Sequence, residues 1–467
     1  MLKSFLKNSI IYYISGLLSK GISFFLLPLY TSLLTTRDYG VLELLSIVST
    51  LSIIIFTFQI NQAVARFYNE LINQKHIQMY TSTVAIFSLT SFATFLLLGL
   101  IFVNPVSLFI GLPVKSTVLA LLSITLNALF YLSQNQLTWK IKPFQEMISS
   151  LVYNISTIGS TILLLVVYKQ GVEGILIAQC IGAVLGIITG VVFTRKDFSL
   201  FFSIKLLKKL FQFSLPLIPS ALSAFLFLFT DRICIKEILG MDELGVFTVG
   251  NKIASILTLA SLGASSALSP LIYKHYKDPK TPDKIAFLFR IFSVLTISLM
   301  AFLSLFSKEL LHILTPASYH SAHVIIPFLT FVLFLSTITL FFPGLSLSKR
   351  TKMISTITVI SGSLNLIFNL LLVEKYGIVA SSAVSAGSYL INFSLFYYFS
   401  QKEYKINVNI ITVFFVILLL FTLTGISNYF ELGILVNLAF FILIAATSLI
   451  IIKKEDYLFL LDKIKRK

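Results

Sequence analysis

Charged residues are scarce in this sequence. Asp, Glu, Lys and Arg make up 12% of its 467 residues, about half the ~25% usual in a soluble domain. That deficit excludes an ordinary water-soluble globule. Cysteine is nearly absent. Of the two, Cys180 falls within an apolar run and Cys234 beside the end of another, so neither a disulfide framework nor a thiolate metal site is expected. Long polar loops are missing too, which leaves no room for a soluble catalytic or nucleotide-binding domain. A phosphate-binding GxxxxGK[ST] loop is absent, so this chain by itself consumes no ATP. The first apolar stretch is too long for the core of a signal peptide and lacks a small-residue cleavage site. Acids deep within the first half are wanting as well, since Glu43 stands near the start of its apolar run.

What is present is apolar. Hydrophobic residues are 57% of the chain and recur in runs of the ~20 residues that cross a bilayer as a helix. The expectation is an all-α polytopic membrane protein. Fourteen spans are predicted, at 9–34, 41–64, 79–103, 115–137, 146–168, 172–194, 211–230, 243–270, 285–307, 323–346, 352–373, 378–400, 407–427 and 432–452. With a cytoplasmic N-terminus, 26 of the 36 Lys and Arg fall in cytoplasmic segments, seven in outer segments and three within spans. This obeys the positive-inside rule and places both termini in the cytoplasm. The net charge of +17 would suggest nucleic acid in a soluble protein. Here topology and anionic lipid headgroups account for it.

The chain also repeats itself. "TTRDYGVLEL" after the first span and "GMDELGVFTV" after the seventh align Gly40-Val41 with Gly245-Val246, an offset of 205 residues that carries Tyr68 onto Tyr273. It pairs spans one to six with spans seven to twelve. An even number of spans gives both copies one orientation, a parallel repeat. The predicted organisation is two pseudo-symmetric six-helix lobes, 1–200 and 201–404, around a central cavity, followed by 405–467 with two further spans and a basic cytoplasmic tail.

Three cations lie inside spans: Lys20, Lys252 and Arg290. Arg290 is near its span's start and is expected to snorkel to the interface. Lys20 is roughly 17 Å below the start of its helix at 1.5 Å per residue, where a cation costs about 2.5–3.5 kcal/mol or more. It shares a face with Gly16 and Ser23. In span two, Ser52, Gln59, Gln62 and Arg66 recur near the helical period. In span eight, Lys252, Ser255, Ser266 and Ser269 do so, ahead of Pro270. Polar stripes in lipid face protein or water, and together they point to a hydrated cationic lumen. The plainer reading makes each lysine an interhelical hydrogen bond. Arg37-Asp38 and Asp231-Arg232, at outer helix ends, are either a gate or solvated caps. Asn365 and Asn369, four apart, read as helix–helix glue. His312, His320 and His323 cluster without any other sign of a zinc site.

The stretches "PLYTSLLTTRDYGVLEL", "ARFYNE" and "TDRICIKEILGMDELGVFTVGNKIASIL" resemble the junctions of the polysaccharide and O-antigen (Wzx-like) flippases of the multidrug/oligosaccharidyl-lipid/polysaccharide exporter superfamily. The resemblance covers about residues 5–400. It implies two six-helix lobes forming a V-shaped cavity. The implied cargo is an undecaprenyl-diphosphate-linked oligosaccharide, carried from the cytoplasmic to the outer leaflet of the plasma membrane. It also implies cationic lumen residues, a pattern that Lys20 and Lys252 fit. "FQINQAVARFY" departs from the pattern, with Gln59 and Asn61 where relatives often carry a glycine and an acid.

The expected partners are the lipid-linked glycan, membrane lipids and polysaccharide assembly proteins, with no nucleic acid. No cofactor is called for, and the driving force is left among the membrane potential, protons and sodium. Within transport, the alternatives are a lipid II flippase and a multidrug antiporter, the latter disfavoured by the lack of deep acids. From another class, a membrane-embedded glycan polymerase or ligase needs a large charged outer loop, and the Lys308–His320 segment is too short for one.

Overall fold

The computed structural model describes residues 16, 21, 24, 26–70, 73–199, 201–453 and 456. The described residues are overwhelmingly helical, with no strand among them. In chain order the helices used below are α1 (Thr36–Phe56), α2 (Ile60–Phe67), α3 (Gln74–Ile101), α4 (Val114–Trp139), α5 (Pro143–Thr161) and α6 (Gly171–Thr194). They continue with α7 (Ile204–Ser214), α8 (Ile218–Ile238), α9 (Met241–Ala254), α10 (Thr258–His275) and α11 (Thr281–Leu305). The series closes with α12 (Ile326–Ile338), α13 (Thr351–Glu403), α14 (Ile410–Tyr429) and α15 (Ile434–Ser448).

Among the described residues, eleven helices are long and apolar enough to cross a membrane. A broken pair, Ala317–Val324 with Ile326–Phe341, bent by 55°, raises this to 12. One of the eleven, α13, has 53 residues, far more than a bilayer needs. Gly377 (φ 66°, ψ −155°) divides it, in a conformation glycine adopts without a Cβ clash. That break falls between the predicted eleventh and twelfth spans. About half of the predicted first span lies outside the described residues, and its end is the short helix Leu27–Leu33. Fourteen spans are therefore not all present among the described residues, while the all-α, multi-pass character is.

Local chemistry sets the helix ends. Thr35 and Asp38 form a capping box at the start of α1, with Asp38 N–H donating to Thr35 Oγ1 and Thr35 N–H to Asp38 Oδ2. Such a cap satisfies helix N–H groups that have no internal partner. α9 begins at Met241, the position that the 205-residue offset pairs with Thr36. The predicted second span is not continuous. It breaks at Thr57–Gln59, where Phe58 and Gln59 take φ of 48° and 55°, and where Thr57 Oγ1 both donates to Ile53 O and accepts from Gln59 N–H.

Contacts divide the chain into two compact units, one containing residues 29–229 and the other residues 24–28 and 230–467. In the first unit, α6 carries glycines at 182, 186 and 190, one per turn. A Cβ at Gly182 would overlap Thr157 Oγ1, one at Gly190 would overlap Ser133 Oγ, and one at Gly186 would stand 2.5 Å from the Phe130 ring. Small residues let helix backbones close in where lipid offers no hydrophobic drive. Phe130 in turn stacks on Tyr153 at 4.4 Å. Gly186→Val is expected to cost roughly 1–3 kcal/mol by overpacking, seen as a lower unfolding temperature in detergent and a lower folded yield.

α7 is amphipathic. Its buried Leu206, Leu207 and Leu210 pack with Ile60, Ala63 and Val64 of α2, so the predicted start of span seven at 211 falls inside this helix. The link before it is pinned by Asp197, which is 1% exposed and paired with Lys140 at 2.5 Å.

The second unit has a broad aromatic and aliphatic core. Phe289, Phe341, Phe342 and Phe393 meet Val413 and Val416 of α14 and Ile444 of α15 there. Arg290 corrects its expectation. It does not snorkel but is buried, and its Nε and one Nη donate to the two carboxylate oxygens of Asp456 at 2.6 and 2.7 Å. A planar guanidinium fits a carboxylate in this bidentate fashion, and the partner arrives from the C-terminal segment.

Candidate functional site

Of the residues predicted to line a lumen, Lys20 and Ser23 lie outside the described residues. Gln59 is half-buried at the break after α1, while Gln62 and Arg66 are exposed on α2. Arg66 pairs with Glu70 one turn on, at 2.5 Å, an exposed contact worth little. Ser52 is buried, its hydroxyl donating to Ser49 O at 2.8 Å. The break separates Ser52 from the others, so they do not make one continuous stripe. Arg37 is exposed and Asp38 is occupied by the capping box.

Asp231 and Arg232 are placed differently. Asp231 is 9% exposed, the Arg232 Nη1 stands 3.7 Å from Asp231 Oδ1, and the guanidinium lies 5.9 Å from the centre of the Phe247 ring. A chain of buried hydrogen bonds extends from this acid. Ser385 Oγ donates to Asp231 Oδ2 at 3.4 Å, and Asn365 Nδ2 donates to Ser385 Oγ at 3.2 Å. Asn369 Nδ2 donates to Asn365 O and Oδ1, and Ser381 Oγ to Asn369 Oδ1 at 2.6 Å. The network ties α8 to both halves of α13 around Gly377. Each member satisfies another, as buried polar groups in an apolar bundle must. Among the described residues no group of three or more His, Cys, Asp or Glu is arranged to hold a metal ion. The His312 and His320 rings are 4.0 Å apart, with a His320 nitrogen at 3.1 Å from Thr315 O and a His323 nitrogen at 2.9 Å from His320 O.

Lys252 lies eleven residues into α9, or about 16 Å along it at 1.5 Å per residue. It is half-buried and has no ion-pair partner among the described residues. α9 ends two residues later and passes through a short 3₁₀ turn, Ser255–Leu257, into α10. Three hydroxyls stitch the break: Ser255 to Lys252 O, Thr258 to Ser255 O and Ser261 to Thr258 O, each at 2.6 Å. Ser255, predicted as a lumen residue, therefore spends its hydroxyl on the backbone. Side-chain bonds of this kind bend helices, and discontinuous helices near the bilayer middle are where many transporters bind charged cargo. The side chains of Ser266 and Ser269 are outside the described residues.

A polar cavity in the first unit escaped the sequence reading. Ser46, Ser49 and Thr50 of α1, Ser123 and Asn127 of α4, Tyr153 of α5 and Gln179 of α6 line a space of about 210 Å³. Tyr153 OH donates to Asn127 Oδ1 at 2.8 Å, Asn127 Nδ2 to Ser123 O at 2.9 Å, and Ser123 Oγ to Gln179 Oε1 at 2.8 Å. Ser123 and Asn127, four apart on one helix, were the available signal.

A family model described as "Polysaccharide biosynthesis protein" matches residues 5–276. A second, MatE, matches residues 216–371. An uncharacterized membrane protein of Methanocaldococcus jannaschii is 26% identical over 233 residues, 47% of this chain and 45% of that relative. The chain thus matches about half the length of this curated relative. Among solved structures, a lipid II flippase MurJ in an inward closed conformation is similar with a TM-score of 0.73 at 16% identity, over 94% of this chain and 98% of that one. A multidrug resistance MATE family transporter of the MOP superfamily, in an outward-facing conformation, gives 0.59 at 16% identity over 86% and 95%. At these identities the likeness is one of fold.

Proposed function

Since the chain belongs to the polysaccharide biosynthesis protein family, we propose that it is a flippase, not an enzyme. Its cargo is an undecaprenyl-diphosphate-linked oligosaccharide, a surface-polysaccharide repeat unit of the O-antigen type, moved across the plasma membrane. Both termini are cytoplasmic in this reading. The observation that carries it is Lys252: a half-buried ammonium beside a break in a membrane-length helix, with no ion-pair partner among the described residues. A diphosphate headgroup cannot enter hydrocarbon unaided, because a buried charge without a partner is prohibitively costly. A lysine offers it a mobile point charge, and Lys20 is the second candidate from the sequence. The isoprenoid tail stays in lipid while the head passes by alternating access, driven by the membrane potential or by a proton or sodium gradient.

The family favours a surface glycan over the peptidoglycan precursor and over a drug, although flippases and drug transporters share the fold. Deleting the gene and extracting the lipids tests this. Sugar-loaded polyprenyl diphosphate is expected to build up, confined to the cytoplasmic leaflet, and to clear on complementation. Accumulation of lipid II instead identifies the peptidoglycan alternative. An unchanged lipid profile with altered drug sensitivity identifies the antiporter and sinks the proposal.

A further inference from the structure

The cavity among α1, α4, α5 and α6 has chemistry that neither the family nor the cationic break accounts for. Its polar lining residues lie between roughly 12 and 21 Å from the starts of their helices at 1.5 Å per residue, the middle of a ~30 Å hydrocarbon core. Polar groups at that depth cannot be left dry without a partner. Yet the wall keeps hydrogen-bonding capacity in reserve. The amide nitrogen of Gln179 donates to no protein atom among the described residues, its oxygen being held by Ser123. The Ser46 and Ser49 hydroxyls also make no protein hydrogen bond among the described residues. These groups are half-buried or, for Ser46, exposed, so they are reachable.

The kind of group lining the cavity narrows what fills it. Among the described residues no Lys, Arg, Asp or Glu lines it, which disfavours a phosphate and a bare metal ion, since each is held best by opposite charge. Instead, neutral hydroxyls and carboxamides that both donate and accept are interleaved with Leu42, Leu45, Ile124 and Leu176. Alternating neutral polar and aliphatic surface complements a ring that is hydroxylated at its edge and apolar on its faces. We propose that this cavity is a subsite for one sugar ring of the cargo, with Gln179, Ser46 and Ser49 reading its hydroxyls. This rests on the flippase reading above and adds to it where the glycan, rather than the diphosphate, is recognised. A space of about 210 Å³ admits a single ring, so one sugar is read and the remainder of the glycan is left unspecified.

The test uses the full chain in nanodiscs and two probes: the lipid-linked glycan purified from the deletion strain, and synthetic undecaprenyl diphosphate without sugar. Two variants are compared with the parent. Gln179→Leu removes the amide at nearly constant size, and Ser49→Leu fills the cavity without touching the Tyr153–Asn127–Ser123–Gln179 chain. The parent is expected to bind the glycan lipid about tenfold more tightly than the bare lipid, the worth of one or two well-made hydrogen bonds. Each variant is expected to erase that preference while leaving the bare-lipid affinity unchanged. Gln179→Leu also strands the buried Ser123 hydroxyl and lowers the unfolding temperature, whereas Ser49→Leu leaves it unchanged. A preference that persists in Ser49→Leu, or a parent that shows none, overturns the subsite and leaves the flippase assignment standing. Failure of the parent to bind either lipid overturns the flippase assignment itself.

Discussion

Lys252→Ala is expected to impair transport severely while leaving the protein inserted and folded. The amine has no ion-pair partner among the described residues, so its removal orphans no carboxylate there. It also relieves the roughly 2.5–3.5 kcal/mol that a cation costs at this depth. A purely structural lysine gives the opposite pattern, with stability falling and transport falling only in proportion. A charge-assisted hydrogen bond to the cargo's phosphate is worth about 1.5–3 kcal/mol, which puts the transport loss at roughly ten- to hundredfold. Lys252→Arg keeps the charge and is expected to retain more activity than the alanine variant. Lys20→Ala, from the sequence reading, is expected to behave like Lys252→Ala. The measurement is the amount of sugar-loaded carrier trapped in the cytoplasmic leaflet, set beside the unfolding temperature of the purified variant. Normal surface glycan in Lys252→Ala refutes the role given to this residue.

The largest stability effect is expected at the opposite kind of cation. Arg290 is 8% exposed and Asp456 5%, and breaking a buried pair by removing one partner costs roughly 3–5 kcal/mol because the other charge is stranded. Arg290→Ala and Asp456→Ala are each expected to lose most of that, and the Arg290→Met, Asp456→Leu double variant to recover most of it. A double-mutant cycle on unfolding temperature reads the coupling. The pH dependence has a definite sign. Burial pushes the Asp456 carboxyl up, but Arg290's hydrogen bonds, the Lys453 amide and the nearby positive charge together hold it below the ordinary carboxylate value. A group with a depressed folded value contributes stability above its unfolded value of about 3.9, lost as pH falls through the folded value. The contribution of this pair is thus expected to be flat between pH 5 and 8 and to disappear only in stronger acid. Disappearance near pH 6 in the parent but not in the double variant counts against this pairing.

Residue type alone did not separate these roles. Ser52, Ser255 and Ser49 are all serines within predicted spans, yet Ser52 and Ser255 bond backbone carbonyls of their own helices while Ser49 lines a cavity. A hydroxyl three or four residues from a carbonyl can always turn inward, so periodicity marks a polar face without saying whether it is spent. The break after α1 was hidden for a related reason. It contains no glycine or proline, and a threonine side chain stabilises two left-handed residues. The break between the eleventh and twelfth spans was legible because Glu374 and Lys375 interrupt the apolar run there, and Gly377 beside them takes the positive φ that glycine suits.

The linear pattern was enough for the membrane class and the helical fold, because each depends on local runs of apolar residues and the rise of a helix. The distinction between a clamped cation and an available one was decided only by folding. Asp456 stands 166 positions from Arg290 and the walls of the polar cavity come from four helices. Ion pairs and cavities are set by which side chains meet in space, and no local pattern encodes that meeting.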